Sequence, residues 1–296
     1  MKINFFYFGE ISLYLYKKRK MSSESVRLNK AISDSGLCSR RQADEWIEKG
    51  RVSLNRKTAQ LGDRVRPEDE VRVDGKLIPK TAKPVYILLN KPVGITCTTN
   101  RRFEDNVIDF VNHSERIYPV GRLDKPSEGL LLMTNDGTIV NKILRAANEH
   151  EKEYIVAVNR SITDDFIDRM QNGIPILDTV TKKCEVEKID EFTFRIVLVQ
   201  GLNRQIRRMC DYLNYKVVSL KRIRLINLEL GKLPTGKWRN LTEKELKDLM
   251  HAIRDSQIHP GYRKDSKKLK KESGNRSEKK SENYKGERTF GKRRRK

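Results

Sequence analysis

Residues 117–134 read IYPVGRLDKPSEGLLLMT, and this stretch decides the fold class. Ile117 to Val120 and Leu130 to Thr134 are short apolar runs that read as buried strands. Between them Gly121, Pro126 and Gly129 shape a tight loop. The loop carries Asp124 beside Arg122, so a carboxylate and a guanidinium are held in a turn between two core strands. A lone Asp in such a loop ordinarily caps the turn. On the N-terminal side, Tyr86 to Leu89 reads as a further buried strand ending in the turn Asn90-Lys91-Pro92-Val93-Gly94, and Val107, Ile108 and Val111 mark a short helix. On the C-terminal side, Ile139, Ile143 and Leu144 suit a helix and Tyr154 to Val158 alternates as a strand. Thr163 caps a helix through Met170, and Phe192 to Val199 is a strand. Thr242 and Glu245 have the spacing of a capping box, with Leu241 and Leu246 placed as its staple. Strands and helices mix without a regular βαβ rhythm, so the class is α+β.

Upstream lies a smaller unit. Leu28, Ala31 and Ile32 have helical spacing, and Gly36 stops that helix. Ser39 stands three residues before Gln42, a capping-box arrangement, and opens a helix from Arg40 to Lys49 that ends at Gly50. Val52 and Leu54 alternate as a short strand, and Val65, Val71 and Val73 supply two more. A unit of about 50 residues is near the lower size limit for independent folding. Arg40, Arg41, Arg51, Arg56, Lys57, Arg64 and Arg66 crowd it, whereas an ordinary solvated face mixes signs more evenly.

The 296 residues include 63 Lys and Arg against 40 Asp and Glu, a net charge of +23. That balance points to a polyanionic partner. Residues 263–296 alone hold 16 basic and 5 acidic side chains, so +11 of the charge sits there, among only three sizeable apolar residues. Such a composition reads as a disordered tail. The other 262 residues are basic in their own right. At the N-terminus, an apolar run over residues 3–16 is broken by Glu10 and followed, not preceded, by Lys17-Lys18-Arg19-Lys20. It is neither a signal peptide nor long enough to span a bilayer. Residues 1–20 are expected to be an upstream extension, with Met21 as the working start; an interfacial anchor is the competing reading.

Cys38, Cys97, Cys184 and Cys210 form no C-x-x-C pair, and the four histidines have no ligand spacing, so no metal site is expected. No G-x-G-x-x-G, Walker A, H-E-x-x-H or G-x-S-x-G occurs. Any chemistry therefore uses ordinary side chains, and no cofactor is expected.

Two sets of strings resemble known families. The pattern RLNKAI…GLCSRRQADEWIEKGRVSLN…LGDRVRPEDEVRV resembles the S4 RNA-binding domain over nearly its whole length. GRLDKPSEGLLLMTNDG (121–137) resembles the catalytic motif of the RsuA/RluA superfamily of pseudouridine synthases, and LLNKPVG (88–94), EKEYIV (151–156) and GLNRQIRRM (201–209) resemble three further motifs in the right order. DFVNHSERIYPVGRLD, HEKEYIV and ILDTVTKKC look most like the RluF branch. One departure is Pro126, where a polar residue is usual; it stiffens the turn.

The resemblance implies an S4-like αα/β RNA-binding domain at residues 25–74, a linker at 75–84 and a mixed, mainly antiparallel catalytic domain at 85–254. Residues 1–24 are then an extension and 255–296 a basic tail. It makes Asp124 the nucleophile, Tyr154 the aromatic that packs on the target base, and Arg207 the active-site arginine. By helical angle alone, Arg207 lies at the edge of the apolar face made by Ile206, Met209, Cys210 and Leu213, while Arg204 and Arg208 lie opposite it. Arg40, Arg41, Arg122, Arg204 and Arg208 are the expected RNA contacts. The implied substrate is 23S (large-subunit) ribosomal RNA, and the branch allows a tRNA anticodon stem as well. The chemistry fits the missing cofactor motifs, since turning a uracil from an N1 to a C5 linkage oxidises nothing and consumes no energy. A cytoplasmic monomer acting on RNA without metal or membrane is expected. The alternative is a non-catalytic RNA-binding or ribosome-assembly factor, which has no need of Asp124, Tyr154 and Arg207 together.

Overall fold

The computed structural model describes residues 25–79 and 82–256. The expected extension over residues 1–24, and the expected tail beyond residue 256, lie outside the described residues. In the small unit, β1 (Val26–Arg27) leads into α1 (Leu28–Asp34), and α2 (Arg40–Glu48) follows. Ser39 Oγ accepts the Gln42 N–H at 3.2 Å, which is one half of the expected capping box. The strands β2 (Val52–Leu54), β3 (Lys57–Thr58), β4 (Arg64–Val65), β5 (Val71–Val73) and β6 (Lys76–Leu77) complete the unit. They form an antiparallel sheet in the order β3-β2-β5-β6, with β1 paired to β4. Leu28 and Ile32 from α1, Ala43 and Ile47 from α2, and Val52, Val65 and Val71 from the strands make one core.

The expected linker starts too early at residue 75. Lys76 pairs with Val73 and Leu77 with Arg72, and Ile78 packs on the same core. The cause is Asp74-Gly75, both at positive φ (49° and 75°), a two-residue hairpin turn whose sequence signal is strong.

The larger unit opens with β7 (Tyr86–Lys91), α3 (Val107–Val111), β8 (Tyr118–Pro119), β9 (Glu128–Thr134) and α4 (Gly137–Leu144). It continues through β10 (Lys152–Val158), α5 (Asp164–Asn172), β11 (Pro175–Ile176), β12 (Thr179–Val180), β13 (Glu185–Lys188) and β14 (Thr193–Leu198). The last elements are α6 (Gln205–Tyr212), β15 (Val217–Leu225), β16 (Leu228–Glu229), β17 (Trp238–Asn240) and α7 (Glu243–Ala252). One sheet runs β13-β14-β10-β15-β9-β7-β17, with β16 against β15 and β8 against β9. Its pairings are antiparallel except β9 with β15, so the fold is α+β and mainly antiparallel.

Strands β7 and β9 are buried on both faces, which is why they read as continuous apolar runs. Leu88, Leu130 and Leu132 pack under α4 and α7 with Ile139, Ile143 and Leu249. Ile87, Leu89, Leu131 and Met133 face the other way, onto Val107 and Val111 of α3. A second core joins α5 and α6 to β10 and β14, with Phe166 edge-on to Phe194 at 5.3 Å. Burying such a ring contributes ~1.5–3 kcal/mol, so the two rings anchor this half.

Central strand β15 was not anticipated, because Lys221, Arg222 and Arg224 interrupt its apolar pattern. Pairing accounts for Arg224. Arg224 bonds Glu153 at 2.6 Å and Glu151 at 3.0 Å, and Arg195 on β14 bonds Glu153 at 2.6 Å and Glu185 at 2.5 Å.

Candidate active site

Asp124 sits on the loop between β8 and β9, and that loop is fixed from several sides. Lys91, the last residue of β7, is 0% exposed, and its Nζ donates to Pro92 O and Ser127 O, each at 2.8 Å. Ser127 N–H donates to Asp124 O at 3.0 Å, closing the turn, and Gly94 N–H donates to Lys125 O at 2.9 Å. Leu123 N–H donates to Cys97 Sγ at 3.4 Å. Burial lowers the pKa of Lys91, while Cys97, Asp124, Glu128 and Asp105 oppose that shift. Burial also pushes the Cys97 thiol up, so it accepts this N–H as a neutral thiol.

The second wall is the N-terminus of α6. Arg204 is its N-cap residue, in the left-handed region at φ 50° and ψ 37°, which a non-glycine residue adopts at a cost of ~1 kcal/mol. Its Nη1 stands 3.6 Å from Asp124 Oδ2. Arg207 points inward as its edge position suggested and is 9% exposed. It does not bond the carboxylate. Its Nη2 donates to Pro126 O at 3.0 Å and to Ser127 Oγ at 3.3 Å, and its Nη1 to Val217 O at 3.2 Å. Burial first and Arg204 second lower its pKa, and Asp124 raises it, so it feels the carboxylate through space. Among the described residues, the cation within ion-pair reach of Asp124 is Arg204. The reason is the backbone at Arg204, which breaks the helical angle assumed for it.

The floor is made by the central strands. Tyr154 on β10 is half-buried and packs against the cores on either side of the site. Lys152 and Arg222 line the same cleft, whose volume is about 730 Å³. The cleft thus brings Asp124, Tyr154, Arg207, Arg204 and Arg122 together. Arg208 is exposed beside it, tied to Asn203 O at 3.0 Å and Asn203 Oδ1 at 3.3 Å. Arg40 and Arg41 are exposed on α2 of the small unit, outside the cleft lining. Among the described residues, no group of His, Cys, Asp and Glu is arranged to hold a metal ion.

Lys91, Ser127, Lys152 and Arg222 were missed as site residues. A lysine inside the apolar run LLNK is itself a signal, because Lys is almost never fully buried without a partner. Nothing local marks Ser127.

Comparison with known proteins gives consistent results. Residues 85–212 match the family model for RNA pseudouridylate synthase, and residues 26–71 match that for the S4 domain. The Escherichia coli O157:H7 protein named dual-specificity RNA pseudouridine synthase RluF is 58% identical over 238 residues, 80% of this chain and 82% of its own. The Bacillus subtilis ribosomal large subunit pseudouridine synthase B is 36% identical over 232 residues, 75% of this chain and 95% of its own. A crystal structure of a pseudouridylate synthase superposes with a TM-score of 0.56 at 27% identity, covering 76% of this chain and 100% of that one.

Proposed function

The chain belongs to the RNA pseudouridylate synthase family and carries an S4 domain, and on that premise we propose which RNA it modifies and which residues do the work. It isomerises uridine in RNA to pseudouridine. The alternative of a pure RNA binder gains no support from relatives that are synthases by name. The proposed substrate is 23S ribosomal RNA, in keeping with a relative named for the ribosomal large subunit, with a tRNA anticodon stem as a second substrate, in keeping with a relative named dual-specificity. Cytoplasmic action as a monomer is proposed with it. Among the described residues no helix is long and apolar enough to cross a membrane.

The supporting observation is the meeting of Asp124, Tyr154 and Arg207 in one cleft. In the proposed mechanism the target uridine is flipped out of the RNA and its base stacks on Tyr154. The Asp124 carboxylate attacks C1′ of the ribose, and the N1–C1′ bonding pair leaves with the base. The base turns, C5 attacks C1′, and Asp124 departs with its bonding pair. Loss of the C5 proton, aided by the Tyr154 phenol, and uptake of a proton at N1 restore the neutral conjugated ring. Arg207 acts by clamping the loop carbonyl at Pro126 and so aiming Asp124. Arg204 faces the carboxylate directly. As an exposed pair it is worth only ~0–1 kcal/mol, but covering the cleft with RNA strengthens it. Arg122, Arg208, Arg40 and Arg41 take phosphate contacts.

Mapping pseudouridines in total RNA from cells with and without the gene tests the substrate assignment. Loss of a large-subunit site together with a tRNA site is expected. Loss of sites in neither class contradicts it.

A further inference from the structure

We propose that Arg222 and Lys152 form a cationic floor that binds the carbonyl oxygens of the detached uracil and takes up the negative charge released when N1–C1′ breaks. The inference rests on the pseudouridylation mechanism above and assigns two residues that mechanism leaves without a role.

Tyr154 and Arg222 are register partners across β10 and β15. Directly opposed residues of an antiparallel pair stand on one face, and Lys152, two residues before Tyr154, shares it. All three line the cleft. Arg222 is 3% exposed; its Nε donates to Leu130 O at 2.7 Å, and its Nη2 is buried without a partner. Lys152 Nζ makes one bond, to His150 O at 2.8 Å. Neither cation has a carboxylate within ion-pair distance among the described residues. Burial and the adjacent Arg222 hold the pKa of Lys152 down to about 8, as expected of two cations left without an anion. The other face shows the contrast: there Glu153 pairs with both Arg195 and Arg224, with Glu185 and Glu151 as further partners, and the register shift between Glu153 and Tyr154 separates Arg224 from Arg222. A buried donor with no partner is costly to keep, which points to an acceptor that arrives with substrate.

The acceptor that reaches this depth is the base. The backbone of a bound RNA stays at the cleft mouth, where Arg122, Arg204 and Arg208 are exposed. The base alone enters. When N1–C1′ breaks, its electron pair stays on the uracil and is shared among N1, O2 and O4, while C1′ bonds to an Asp124 oxygen. Cations beside the stacking ring hold the anion and keep it from leaving during its turn. When C5 bonds to C1′, Asp124 is released as carboxylate, the C5 proton is lost and N1 takes up a proton, which balances the isomerisation.

The test compares full-length wild type with Arg222→Lys and Lys152→Gln in single-turnover assays at saturating RNA. Pseudouridine, free uracil, affinity and melting temperature are all measured. Each variant is expected to slow pseudouridine formation by about 10-fold or more. RNA affinity should stay within about threefold, and a larger fraction of turnovers should end in free uracil and an abasic site. If Arg222→Lys fails to fold, Lys152→Gln, at a partly exposed position, decides. A folded variant with wild-type rate and no free uracil overturns the inference. So does lost affinity with a flatter salt dependence at an unchanged saturated rate, which assigns the pair to a phosphate. Wild-type protein that forms no pseudouridine overturns the mechanism beneath it instead.

Discussion

Gly129 stands where β9 and β15 run parallel, and the site depends on how close that approach is. Its φ is +103°, and a Cβ added there would lie 2.3 Å from the Arg222 carbonyl oxygen. No side-chain motion relieves a clash with backbone, so Gly129→Ala should cost ~3 kcal/mol or more. Chemical denaturation measures this; a loss under about 1 kcal/mol would show that the strands can separate without penalty. Lys91 acts at the same scale. It fills no role in the chemistry but bonds Ser127 O and Pro92 O from a fully buried position, so the turn around Asp124 depends on it. Lys91→Met keeps the side chain's bulk and removes both bonds. It should lower the single-turnover rate about 10-fold or more while RNA affinity holds, because small misplacements of a nucleophile are costly. An unchanged rate would mean the turn holds itself.

Helix α7 shows how an element is fixed by its first turn. Thr242 and Glu245 form a complete capping box, and Arg239 bonds Glu245 at 2.6 and 2.7 Å. The Arg239 hydrogen bond is the main reason that the pKa of Glu245 falls from 4.5 to about 2. The folded carboxylate therefore holds its proton less readily than the unfolded one. Its stabilising contribution is complete above about pH 4.5 and is lost as pH falls toward about 2. Glu245→Gln should cost ~1–2 kcal/mol at pH 7, and the gap from wild type should shrink as pH drops through that window. A gap independent of pH would assign the effect to packing. This box was legible because its two residues are three apart in sequence. The apolar strands β7 and β9 were legible for a similar local reason, and so was the face of α6 carrying Ile206, Met209 and Cys210. Strand β15 was not, because Arg224 makes sense only beside Glu153 of another strand and Glu151 just before it. The Asp74-Gly75 hairpin is legible too, as a two-residue turn signal. In the site, Asp124, Tyr154 and Arg207 could be singled out from motif strings. The pairing of Asp124 with Arg204 could not, since it depends on a left-handed backbone at a helix start.

At the scale of the molecule, basic side chains are also found outside the cleft lining. The small unit presents Arg40 and Arg41, exposed, on the helix that Ser39 caps. Replacing both by Ala should weaken RNA binding and reduce the salt slope by up to ~2, as fewer counterions are released. An unchanged slope would show that this helix does not meet RNA. Deleting residues 263–296 removes +11 of charge. It should slow association mainly at low salt, with turnover at saturating RNA unaltered. Slower turnover at saturation would instead place the segment in the active complex. Both effects concern finding RNA, whereas the chemistry rests on Asp124. The most direct test of that role is Asp124→Asn, purified free of host enzyme and assayed in single turnover on the mapped RNA. The amide is nearly isosteric and a far poorer nucleophile. No detectable pseudouridine is expected, with RNA affinity close to wild type, because binding rests mainly on phosphate contacts. Pseudouridine formation at near wild-type rate would contradict it.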